Sequence, residues 1–158
     1  GCEYCVMEVS SHSLSLHRVA GTHFTLGVFT NLTQDHLDFH ETMENYAAAK
    51  ALLFPMCDAA IANLDDVWTD TVMKDAPRPV YTFSAKDDSA SLTARDIRLS
   101  PNGVRFCALE ENTLVRVSLS LPGKFSVYNA LTAIACGITL VTVSLATYKK
   151  EPTEFLSA

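Results

Sequence analysis

Glu8, Ser10, Arg18, His36 and Lys50 fall within the first fifty residues, and together their types could handle a metal ion and an anion. Glu8 closes the apolar run Tyr4-Cys5-Val6-Met7. An acid just past such a run can hold magnesium directly or through water; a solvated or capping carboxylate is the plain alternative. Ser10-Ser11-His12 open a predicted helix, where unpaired backbone N–H groups favour an anion. Arg18 lies two turns further on, although ordinary capping accounts for the serines equally well. Asp35-His36-Leu37-Asp38-Phe39-His40 follows a second apolar run. The i, i+4 spacing of His36 and His40 would let two imidazoles share a metal on a helix. With no glutamate beside the first histidine it is not a zinc-protease motif, and surface or hydrogen-bonded histidines remain the alternative. Lys50 falls on the apolar stripe Met43, Tyr46, Ala47, Leu53 and Phe54. Such a lysine either snorkels to water or meets a partner. Desolvation lowers its pKa, and a neutral amine can take up carbon dioxide to form a carbamate, a negatively charged oxygen ligand. Further along, Gly123 to Asn129 forms a turn entering a helix. The donor and acceptor of Asn129 suit an adenine edge, or simply a polar helix start.

The elements that must position these groups follow from hydrophobic periodicity. Buried strands are predicted at Tyr4 to Val9, Leu26 to Thr30, Ala59 to Asn63 and Pro79 to Ser84. Helices are predicted over Ser10 to Ala20, from the cap Thr42 to about Phe54, and over Asp66 to Lys74. Then the period changes. Ser91 to Leu99, Gly103 to Leu109 and Thr113 to Leu121 alternate apolar and polar residues, which predicts an antiparallel meander wetted on one face. A helical period returns from Val127 to about Ile138. The fold class is therefore α/β, a mostly parallel sheet flanked by helices, with a small antiparallel β subdomain at about 91–121. In such sheets ligands sit at the carboxyl ends of the strands.

Composition narrows the partners. The chain has 158 residues, 48% of them hydrophobic and 19% charged, which is a globular balance. A net charge of -6 without an evident basic patch argues against a nucleic-acid binder. The five cysteines lack a framework spacing, so they are expected to be buried thiols in a reducing cytoplasm. Ala130 to Tyr148 carries no charge, but its five Ser and Thr residues and Gly137 favour a buried helix followed by a buried strand or loop over a membrane span. The opening Gly1-Cys2-Glu3 reads as a chain whose natural start lies upstream.

Taken together, these motifs resemble the Mur ligase family, ATP-dependent amide-forming enzymes of peptidoglycan synthesis. Within it they are most similar to the type that adds a diamino acid to UDP-N-acetylmuramoyl-L-alanyl-D-glutamate. The resemblance is carried by Met7-Glu8-Val9-Ser10-Ser11-His12-Ser13-Leu14, Arg18, Val28 to Asp38, Tyr46, Ala49-Lys50, Leu53-Phe54, Pro122-Gly123-Lys124-Phe125 and Tyr128-Asn129-Ala130. It implies that Glu8 and His36 bind magnesium and that Lys50 is carbamylated and helps place a second magnesium. It further implies that Ser10 and Arg18 contact the UDP-muramyl dipeptide and that Asn129 contacts the adenine of ATP. The implied substrates are that dipeptide and a diamino acid, with no nucleic acid and no membrane involved.

The sequence also departs from the family. It contains no Gly-x-x-Gly-Lys-Ser/Thr loop, which the family carries upstream, and no counterpart of the family's C-terminal domain. Residues 1–140 are therefore expected to be a partial central ATP-binding domain lacking its P-loop, and 141–158 a divergent tail, interrupted by Lys149-Lys150-Glu151-Pro152. Glu41 stands where a glycine is usual, and Ser126 where an asparagine is. The isolated chain is expected to be inactive. Alternatives are a cyanophycin- or folylpolyglutamate-synthetase relative, a non-catalytic remnant serving as a binding module, and, more distantly, a zinc hydrolase using His36, His40 and nearby acids.

Overall fold

The computed structural model describes residues 2–35 and 37–148, with side chains through 143. Six strands form one sheet in chain order: β1 Phe24–Phe29, β2 Cys57–Asn63, β3 Val80–Ser84, β4 Leu92–Ser100, β5 Gly103–Glu110 and β6 Thr113–Leu119. β1 to β4 run parallel, while β4 to β6 form an antiparallel meander. The expected fold class is the observed one, with the meander continuous with the parallel sheet at β4.

Alternation along β2 builds a core on each face. Ala60 and Ala62 face a cluster with Phe29, Tyr46, Ala47, Phe54 and Val72. Two helices supply much of it: α3, Met43–Ala51, and α4, Thr69–Val72. Ile61 faces the opposite cluster, with Phe83, Leu92, Val104 and Phe106. There the stripe Val127, Leu131 and Ala135 of α5, Phe125–Tyr148, lies fully buried on the sheet. Helices on both faces are what a parallel sheet requires.

Four expectations need correction. Tyr4 to Val9 is not a buried strand: the segment pairs with no strand, and Val6 is 100% exposed. With no neighbour to complete its ladder, an apolar run of β-forming residues is extended but uncovered. For the same reason Cys2 and Cys5 are exposed rather than buried. The first helix, α1, spans only Ser11–Ser15. It stops because His17 takes a left-handed φ of 53°, letting Arg18 N–H donate to Ser13 O at 2.8 Å and His17 N–H to Leu14 O at 3.0 Å. That is a Schellman ending, with histidine where glycine is common. Last, α5 does not give way to a strand or loop near Ile138 but runs on to Tyr148. Its threonines do not break it: Thr132 and Thr142 hydroxyls donate to the carbonyls of Tyr128 and Ile138, inside the helix. Phe125–Val143 is apolar and long enough to cross a bilayer by length and composition, and its buried stripe is packed on the sheet. Residues 149–150 and the tail beyond them lie outside the described residues.

Candidate active site

The site grows from three short elements that meet beside the parallel half of the sheet: α1, α2 (Leu37–His40) and α3. Thr42 caps α3, its hydroxyl accepting from Asn45 N–H at 3.1 Å, so the helix start is fixed by a local bond. From that start, Tyr46 and Lys50 are one turn apart on the same side.

Lys50 is half-buried, and its Nζ lies 5.4 Å from the centroid of the Tyr46 ring. Burial lowers its pKa below the usual 10.5, and the negative charge of nearby Glu8 opposes that shift. The two residues are thus electrostatically coupled even though they lie 42 positions apart, an arrangement no local pattern specifies. Glu8 is exposed on the extended segment leading to α1. Tyr46 stacks on His40 with ring centroids 4.9 Å apart and planes 7° from parallel. His40 is buried, and its Nε2 shares a 2.8 Å hydrogen bond with Ser11 Oγ. Burial and the Asp35 carboxylate raise the Tyr46 phenol above its usual 10.0, partly offset by a hydrogen bond with Ser11. His12 completes the group, 5.4 Å from His40 and 4.1 Å from Phe39 between ring centroids.

Of the residues singled out in the sequence, Glu8 and Lys50 are brought together. Ser10 caps α1, its Oγ accepting from Ser13 N–H at 3.1 Å, and Arg18 is exposed at the far end of the same turn. Asn129 is exposed on α5. His36 lies outside the described residues. His40 follows the plain reading, a hydrogen-bonded histidine. Among the described residues no group of three or more His, Cys, Asp or Glu side chains could hold a metal ion. Glu8 with a carbamate on Lys50 would nevertheless present oxygen donors, the kind magnesium takes. Residue 126, where asparagine was the expected type, holds a buried serine whose hydroxyl donates to Pro122 O at 3.1 Å.

A second polar centre went unread in the sequence. Past the carboxyl end of β2, Asp65 accepts hydrogen bonds from Ser84 Oγ, from Ala85 N–H at 2.8 Å and from Tyr128 OH at 2.8 Å. Burial and Asp65 together raise the Tyr128 phenol well above its usual range. Asn63 Nδ2 donates to Thr30 O at 2.8 Å, and Asp66 Oδ2 accepts from Leu32 N–H at 2.8 Å. These bonds tie together the carboxyl ends of β1, β2 and β3 and the first turn of α5. The signal was available, since an acid after a buried strand marks Asp65 as it marks Glu8.

Comparison with known proteins places the family and the fold. The family described as Mur ligase middle domain matches residues 1–137. The UDP-N-acetylmuramoyl-L-alanyl-D-glutamate--2,6-diaminopimelate ligase of Caldanaerobacter subterraneus subsp. tengcongensis is 48% identical over 135 residues, 85% of this chain and 28% of that protein. A solved structure of a ligase of the same name superposes with a TM-score of 0.72 at 31% identity, covering 88% of this chain and 28% of that one. MurF from Acinetobacter baumannii, at 20% identity and a TM-score of 0.66 over 73% of this chain and 26% of that one, shares the fold. The chain thus spans under a third of the length of these relatives.

Proposed function

The chain belongs to the Mur ligase middle-domain family, and from that premise we propose that it serves an ATP-dependent ligase joining a diamino acid to UDP-N-acetylmuramoyl-L-alanyl-D-glutamate in cytoplasmic peptidoglycan synthesis. The observation that carries this reading is the pairing of Glu8 with a half-buried, pKa-lowered Lys50, within a match of 48% identity over 135 residues. The names of the relatives make 2,6-diaminopimelate the diamino acid to test first.

In this reading the Lys50 amine, whose proton burial makes easier to lose, adds to carbon dioxide and releases a proton, leaving a carbamate. The carbamate, Glu8 and His36 would hold magnesium, and the chemistry it would supply there is neutralisation of phosphoryl charge. Tyr46 and His40 keep Lys50 in place through the stack and the bond to Ser11. Ser10 and Arg18 orient the UDP-muramyl dipeptide, and Asn129 meets adenine. The dipeptide's carboxylate attacks the γ-phosphorus of ATP, ADP leaves and an acyl phosphate forms; the amine of the diamino acid then attacks its carbonyl carbon, loses a proton and displaces inorganic phosphate to form the amide. Activation is required because a free carboxylate is a poor acyl donor.

A protein of the relatives' full length that contains this chain is the one to assay. With ATP, magnesium, the dipeptide substrate and 2,6-diaminopimelate it is expected to release phosphate in step with amide formation. Lys50→Ala should lower kcat by on the order of 10²–10³-fold. No ATP-dependent ligation by the longer protein, or full activity of Lys50→Ala, would refute the reading.

A further inference from the structure

The meander carries an arginine face that the ligase reading does not use. Register pairs place Arg98 directly opposite Arg105, Arg105 opposite Ser118, and Arg95 and Arg116 on either side of Cys107. Register partners share a face, as do residues two apart in one strand. Four of the chain's six arginines therefore stand on one side of three strands, in a chain of net charge -6. The opposite side is core, with Val104, Phe106 and Ala108 buried.

Two features set this apart from an ordinary solvated face. The first is that like charges directly opposite each other destabilise an antiparallel pair. Arg95 shows how an arginine here is neutralised, pairing with Asp88 at 2.6 Å. Arg98, Arg105 and Arg116 have no such carboxylate partner among the described residues. The second is that Arg98 reaches this face through a backbone irregularity. The register shifts between Arg95 and Arg98, and Asp96 takes a left-handed φ of 52°. In a regular strand, residues three apart point to opposite sides; the extra residue of a bulge re-aims Arg98 beside Arg105. Both the opposed charges and the left-handed aspartate cost stability.

The two guanidinium groups border a cleft of about 400 Å³ that Ser100, Asn102, Ser118 and Ser120 also line. Its floor at Gly103 is tight: φ is 146°, and a Cβ there would overlap the Leu119 carbonyl oxygen. Paired guanidinium forks beside the Ser118 and Ser120 hydroxyls and the Asn102 amide match the oxygens of a tetrahedral oxoanion, while the Ser100 hydroxyl donates to Gly103 O at 3.0 Å and braces the turn. We propose that this cleft binds a phosphate group, with Arg98 and Arg105 as its two clamps. The proposal does not depend on the ligase reading and stands or falls separately.

Inorganic pyrophosphate and ADP, titrated into the 158-residue chain at constant ionic strength, test it. Both are expected to shift the amide resonances of Gly103 and Ser118 in a saturable way that sodium chloride does not reproduce. Arg105→Thr should weaken both affinities at least tenfold, while Lys86→Ala, an equal loss of charge on the surface, leaves them unchanged. Without ligand, Arg105→Thr should melt higher than the parent because the opposed charges are gone; this also shows that lost binding is not lost folding. The proposal fails if neither probe saturates, if only ADP does (recognition then resting on the nucleoside), or if Lys86→Ala weakens binding as much as Arg105→Thr.

Discussion

Lys50 shows how burial and a distant charge pull one group in opposite directions. Burial lowers its pKa and Glu8 raises it, burial being the larger. The folded chain gives up this proton more readily than the unfolded one, so the group disfavours folding at low pH, and the penalty fades as pH rises toward 10.5. Glu8→Gln removes the opposing charge, so the Lys50 midpoint should move further down, as read by NMR titration of its side chain. An unchanged midpoint would mean that the two groups are not coupled as described. Lys50 was identifiable in the sequence because it broke an apolar stripe. Its association with Glu8 came only through the resemblance to Mur ligases; spacing could not show it, because the partner arrives on a segment far away in the chain. The Tyr46–His40–Ser11 chain of contacts was hidden for a similar reason: His40 has nothing in its spacing that names Ser11.

At the scale of elements, the joint between α2 and α3 rests on Glu41, which holds a left-handed φ of 67°. The resemblance to Mur ligases placed a glycine there, and the backbone explains why glycine suits it. A side chain in this conformation costs about 1–2 kcal/mol, against a glycine entropy cost of about 0.5–1 kcal/mol. Glu41→Gly is therefore expected to stabilise the fold by roughly 0.5–1 kcal/mol in chemical denaturation; destabilisation would show that the Glu41 side chain contributes a contact worth more than the strain. The strands β1 to β6 were readable because their runs either alternate or stay apolar between turn residues. Element ends were less so. α1 stops early through a histidine that takes a glycine-like conformation, and α5 runs long because its threonine hydroxyls turn back on helix carbonyls and Gly137 does not adopt the left-handed conformation that would end it.

For the whole molecule, the weight falls on α5, which touches β1 through β5. Leu131 is fully buried at its centre, and Leu131→Ala should cost about 2–5 kcal/mol in urea unfolding. A cost well below that range would mean the helix is not the clamp that spans the parallel and antiparallel halves of the sheet. Tyr128, at the start of the same helix, reaches Asp65 at the carboxyl ends of the parallel strands, so core packing and the polar centre share one element. The parallel and antiparallel halves of the sheet meet at β3 and β4 through two register pairs, Phe83 with Leu92 and Ser84 with Thr93, where β4 and β5 share seven. A joint that narrow is where a sheet parts when it opens short of full unfolding. In deuterated water, the amides of β5 and β6 should therefore exchange as one cooperative block and those of β1 and β2 as another, each on its own clock, and loosening α5, which bridges the two halves, should set the two clocks further apart.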